Sequence, residues 1–163
     1  MTFDEGLDKV CRYLAYFGGV LLLATTPVTL ASVLSRYFLN SPLLGDFEIV
    51  QTAVAACIAC FLPYCQLHGG NIVVDFFTTG ASARSQAFMD ALGALLLAAM
   101  MFLLGWRGAV GGVALYQSGD TTMLMSIPIW IIYAAIVPGF ILTCVVALVM
   151  AGRSFTTAAR GQA

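Results

Sequence analysis

Residues 13–35, YLAYFGGVLLLATTPVTLASVLS, contain no charged side chain. A helix needs roughly 20 apolar residues to cross about 30 Å of hydrocarbon, so this stretch is long enough to span a bilayer unaided. Its reading decides the class of the whole chain, because three comparable stretches follow it. The first span is expected from about Tyr13 to Phe38 and the second from about Phe47 to Leu67, with Glu48 in its first turn. A third, from about Ala87 to Tyr116, is interrupted by Asp90 and Arg107 and exceeds the length a bilayer requires, so it must tilt or protrude. The fourth runs from about Ile127 to Met150.

Composition agrees. Of 163 residues, 61% are hydrophobic and 9% charged, too little charge to cover a soluble surface. In lipid every backbone donor and acceptor must be satisfied within its own segment, so spans of this length are read as helices. The expected fold is an all-α integral membrane protein, a single domain over residues 1–163 with four transmembrane helices. Lys9 and Arg12 before the first apolar run resemble the start of a signal peptide. The run exceeds a typical signal core, however, and no small-residue cleavage pattern precedes Arg36, so the first helix is expected to stay.

Lysine and arginine in short loops mark the cytoplasmic side. Lys9 and Arg12 precede the first helix, Arg84 lies between the second and third, and Arg153 and Arg160 follow the fourth. Only Arg36 opposes them, and Gln117 to Ser126 has neither residue type. Both termini are therefore expected in the cytoplasm. Between the second and third helices, Ile72, Val73, Val74, Phe76 and Phe77 are concentrated, with Asn71, Asp75, Thr78, Thr79 and Ser82 supplying polar positions. Residues 71–82 are accordingly read as a short interfacial amphipathic segment, against the alternative of an ordinary loop.

The polar and reactive residues leave two enzyme classes to weigh. Cys57 and Cys60 form a C-x-x-C, the signature of a membrane thiol-disulfide/quinone oxidoreductase. That chemistry needs ionisable thiols and a second pair in an outward loop; this pair lies mid-helix, and Gln117 to Ser126 holds no cysteine. Small, soft residues packing between helices account for all five cysteines. A haem-anchoring subunit needs two axial ligands, whereas His68 is the single histidine and ends the second helix. A complete transporter tends to show repeated halves and a polar site at the midplane, and neither is found. Pro27, Pro63 and Pro138 remove helix hydrogen bonds and are expected to kink the first, second and fourth helices.

A buried charge at mid-membrane costs about 2.5–3.5 kcal/mol on insertion scales, so such residues point to function. Here nearly all charges sit at helix ends, and Arg107 is the exception. Two readings stand for it. It snorkels to an interface beside Trp106, or it contacts a partner protein across a surface that Gly105, Gly108, Gly111 and Gly112 open to close approach.

Three stretches carry a resemblance. Arg36-Tyr37-Phe38, with Pro42, Leu43 and Glu48, is an arginine ending one helix, a short loop and a glutamate opening the next. His68-Gly69-Gly70-Asn71-Ile72-Val73-Val74-Asp75 is a histidine followed by a Val-Asp turn. Ile127-Pro128-Ile129-Trp130-Ile131-Ile132-Tyr133, with Pro138-Gly139, opens the fourth helix. In order and spacing these resemble the small membrane (DctQ-type) subunit of tripartite ATP-independent periplasmic, or TRAP, transporters. Phe47 stands where an aromatic residue, often Trp, precedes the family's acidic residue.

The resemblance implies a small permease subunit in a bacterial or archaeal cytoplasmic (inner) membrane, multi-pass and not an enzyme. Its partners would be a large elevator-type membrane subunit, a periplasmic substrate-binding protein and membrane lipids, with no nucleic acid. It would scaffold the large subunit for sodium-driven uptake of an organic acid, with sodium coupling in that subunit and no cofactor, metal or catalytic residue in this chain. Arg36, Glu48 and Arg107 are the candidate partner or subunit contacts, with Arg36 and Glu48 close enough to pair with each other. His68 and Asp75 would fix one turn, Trp130 and Tyr133 would anchor the fourth helix, and Pro128, Pro138 and Gly139 complete the structural motif.

Overall fold

A computed structural model describes residues 3–39, 45–69 and 83–160. Four helices account for nearly all of them: α1 (Phe3–Leu39), α2 (Asp46–Leu67), α3 (Ala83–Ser118) and α4 (Trp130–Arg160). Each contains a stretch long and apolar enough to cross a membrane, namely Glu5–Phe38, Asp46–Leu67, Met89–Ser118 and Trp130–Thr156. The segment 71–82 and Asp75 lie outside the described residues.

Two helices run well past their apolar spans. α1 begins ten residues before Tyr13, where Asp8 and Arg12 form an i,i+4 ion pair at 2.7 Å. Such a pair contributes only a few tenths of a kcal/mol. The stronger constraint is packing, since Leu7 and Cys11 are buried against Val146 of α4, with Tyr64 and Leu67 of α2 beside them. α4 continues beyond Met150, and Ala151 is buried in that extension. At its other end α4 starts at Trp130, not Ile127, because Pro128 pairs with Thr121 in an antiparallel bridge and holds the preceding residues out of the helix.

The helices are not arranged as a closed bundle. α1 packs on α2, α2 on α4, and α4 on α3, so α1 and α3 occupy opposite edges. Small residues form the seams. A Cβ added at Gly18 of α1 would lie 2.9 Å from Cys60 Cβ, and the Cys57 thiol donates to the Gly18 carbonyl at 3.2 Å. Along α3, Gly105, Gly108 and Gly112 face Ile141, Val137 and Tyr133 of α4. The glycines around Arg107 thus receive a helix of the same chain. In lipid there is no hydrophobic drive to bring helices together, so contact area and close approach must do so. Ala56, Ala59, Ala91, Ala98 and Ala147 are buried, whereas Leu23, Tyr37, Met100 and Phe102 lie exposed on the outer faces.

The prolines do not end their helices; α1, α2 and α4 each run through theirs. Pro63 is buried at the centre of the structure and has a further consequence. It has no N–H, so the Ala59 carbonyl four residues earlier loses its helical partner. Gly139 of α4 sits against that carbonyl so closely that a Cβ there would overlap Ala59 O and C. The approach suits a Cα–H···O contact, a weak interaction that recurs where helices cross closely. Gly139 also presents its own carbonyl to the Thr143 hydroxyl at 2.7 Å.

This crossing predicts opposite signs for two glycine replacements in α4. Gly139→Ala forces α2 and α4 apart and lowers stability by about 1–3 kcal/mol, as overpacking does. Gly152→Ala, where nothing lies within 4 Å, raises it by up to about 1 kcal/mol through helix propensity. Thermal unfolding of the purified variants in one detergent reads both.

Candidate functional site: a loop clasped by Glu48

At one end of the helix row, the start of α2 meets the α3–α4 connection. Gly45, at φ 87°, turns the chain into α2 in a left-handed conformation that other residues rarely adopt. Met125 packs so closely on it that a side chain there would overlap Met125. The first turn of α2 then carries two carboxylates, Asp46 and Glu48, where helix N–H groups lack internal partners and negative charge is favoured.

Glu48 uses both of its oxygens on the other loop. Oε1 accepts the Leu124 N–H and Oε2 the Met125 N–H, each at 3.0 Å, and the Thr122 hydroxyl donates to the same carboxylate. Thr122 in turn ties the loop together. Its N–H donates to Ile127 O at 2.9 Å, its hydroxyl oxygen accepts the Ile127 N–H at 3.1 Å, and its carbonyl accepts the Ser126 N–H at 3.2 Å. Ser126 sits at φ 54°, a left-handed conformation that costs a non-glycine residue about 1–2 kcal/mol. The Thr121–Pro128 bridge and the Ile129 N–H to Asp120 O bond at 3.1 Å close the base. Below the clasp a cavity of about 340 Å³ opens between α2 and the start of α4, lined in part by Glu48, Gln51, Thr52 and Ile132.

Arg36 and Glu48 are therefore not paired. Arg36 lies 4.0 Å from Asp46, whose carboxylate also accepts the Ser32 hydroxyl and the Phe47 N–H. The physical reason is supply. Backbone donors 76 and 77 residues away occupy both oxygens of Glu48, while Asp46, two residues closer to α1, is left facing the arginine. Asp46, Ser32 and Thr122 were not singled out by the sequence reading. The Asp46-x-Glu48 spacing was the available signal, since it places two anions on the first turn of one helix.

The remaining candidates are dispersed. Pro128 forms the loop's bridge, and Trp130 meets Tyr116 of α3 edge to face, ring centres 5.5 Å apart, where α3 ends and α4 begins. Tyr133 packs on Gly112, Gly139 lies at the α2–α4 crossing, and Pro138 beside it is exposed on the side that faces Gly108 and Gly112 of α3. His68 stands at the opposite end of the row, its ring 4.2 Å from that of Tyr64, with Nδ1 3.2 Å from Tyr64 O and Nε2 3.4 Å from Asp8. It thereby ties the end of α2 to the start of α1. Arg107 is exposed, away from both ends. Cys57 and Cys60 are buried free thiols within the α1–α2 seam.

Taken together, the clasp joins the first turn of α2 to the α3–α4 loop, two segments distant in sequence. Glu48→Ala should release it. Amide hydrogen exchange at Leu124 and Met125 is expected to accelerate at least about tenfold, because one lost charge-assisted bond is worth that much. The amides of α4 beyond Trp130 should be unchanged; equal protection in wild type and variant would contradict the clasp.

The family model describing the DctQ component of the tripartite ATP-independent periplasmic transporters matches residues 25–157, from the middle of α1 nearly to the end of α4. No curated protein and no solved structure matches the chain. The match covers α2 and α3 whole and most of α4, along with the clasped loop, and by it this multi-pass membrane protein belongs to the DctQ family, the small component of TRAP transporters.

Proposed function

We propose that the chain is the fixed scaffold of a sodium-driven TRAP transporter in the cytoplasmic membrane of a bacterium or archaeon. In this reading a periplasmic substrate-binding protein delivers an organic acid to a large membrane subunit. That subunit carries the acid across by an elevator motion coupled to sodium. The small chain holds no substrate, cofactor or ion; it braces the moving subunit against the bilayer, with lipids on its free faces.

The observation that supports this best is the open row of helices. A carrier encloses its site between helices, whereas here the seams are filled by glycine, alanine and cysteine, and the large apolar side chains face outward. Such a thin plate presents area to a partner. The clasped loop lies on the side that the arrangement of lysine and arginine assigns to the periplasm, where a binding protein arrives. His68 and Asp8 tie the helices at the cytoplasmic side.

The reading predicts that the chain co-purifies with the large membrane subunit. Proteoliposomes containing both, with the binding protein and an inward sodium gradient, should accumulate an organic acid, and those lacking either membrane subunit should not. Uptake by the large subunit alone at the full rate would remove the scaffold from the account.

A further inference from the structure

The outward edge of α3 carries one feature that the chain's own packing does not explain. At 3.6 residues per turn, Arg107 lies about 100–160° around the helix from Gly105, Gly108 and Gly112, the positions that α4 sits against. It is exposed and turned away from the α3–α4 seam, with the Tyr133 ring at Gly111 on its flank. Leu96, Met100, Leu103 and Val110 share its face and are all exposed. Their spacing with Arg107 is 4, 3, 4 and 3 residues, the alternation of a knobs-into-holes helix seam.

Depth makes the arginine informative. Tyr116 and Trp130 meet near the end of both helices, where aromatic residues occupy the headgroup level. Arg107 is nine residues further in, about 14 Å along the axis, close to the middle of a hydrocarbon layer of about 30 Å. Among the described residues no carboxylate lies within ion-pair distance of it. Trp106 stacks on Phe102 at 6.4 Å, a quarter-turn away.

Resting on the proposed scaffold role, we infer that this face of α3 receives a transmembrane helix of the large subunit, and that an aspartate or glutamate on that helix pairs with Arg107 at mid-bilayer depth. A guanidinium at that depth calls for an anion, and a planar fork of donors matches a carboxylate with two parallel bonds. A second copy of this chain does not fit. Two α3 helices paired in parallel about a two-fold axis along the membrane normal would set the residues of this seam beside their own equivalents, bringing Arg107 close to Arg107.

The test uses the complex of the two membrane subunits, purified through a tag on the large one. If the wild-type chain is not retained, the scaffold role itself fails. If it is retained, Arg107→Met and Arg107→Glu should reduce retention roughly tenfold or more, since an unpaired carboxylate is then left in the interface. Arg107→Lys should retain more of the chain than either, and an acidic-to-basic replacement on the large subunit should restore Arg107→Glu. A photo-reactive residue at Leu103, in an otherwise wild-type chain, should cross-link to the large subunit. Wild-type retention of Arg107→Met, or a Leu103 adduct with phospholipid alone, would overturn the inference while leaving the scaffold role intact.

Discussion

The structure depends on one close approach, that of Gly139 on the Ala59 carbonyl. It lies at the α2–α4 seam, the broadest contact between the pair α1 with α2 and the pair α3 with α4. Pro63 prepares the contact by withholding a hydrogen-bond donor from Ala59, and the absent side chain at 139 lets the two backbones meet. Lipid tails are as apolar as leucine, so large side chains gain little by turning inward. Small ones gain contact by letting backbones come near. Glycine and alanine at the seams and leucine, tyrosine and methionine outside are one consequence of that constraint.

The two ends of the row reinforce the central crossing by different means. At one end a single carboxylate, Glu48, gathers the backbone of the opposite loop, while Asp46 holds Ser32 and stands beside Arg36. At the other, His68 reaches Asp8 while Leu7 and Cys11 pack on Val146. Polar contacts join the loops and apolar ones the helices, leaving the broad faces between them uncommitted. A family of subunits that works in a larger assembly has use for such faces.

The spans were legible because a bilayer imposes a length on apolar runs, and residues 13–35 meet it without a single charge. The helix ends were less so. Hydropathy reports where lipid is, not where hydrogen bonding stops, so the turns of α1 before Tyr13 and of α4 after Met150 went unread. Trp130 and Tyr133 were singled out by the resemblance of the stretch Ile127 to Tyr133 to the family's entry into its fourth helix. The partner of Glu48 was not, because a bond spanning 76 residues leaves no local pattern and its donors are backbone amides that any sequence supplies. The neighbour of Arg36, Asp46, was equally hard to read, since Glu48 lies two residues away on the same turn. The order of the helices was equally hidden, since four apolar spans fit a closed bundle and an open row alike.

That order is the central claim, and a distance between the two edge helices tests it. Spin labels at Leu23 of α1 and Leu103 of α3, with Cys65 replaced by serine, lie at comparable depths on exposed positions. In the row, two to three interaxial steps separate these helices, about 16–30 Å between their axes. A pulsed dipolar measurement in nanodiscs should return a distribution in that range after allowance for the label arms. A single short distance corresponding to one step, about 8–10 Å between axes, would mean that α1 and α3 touch and that the row is in fact a closed bundle.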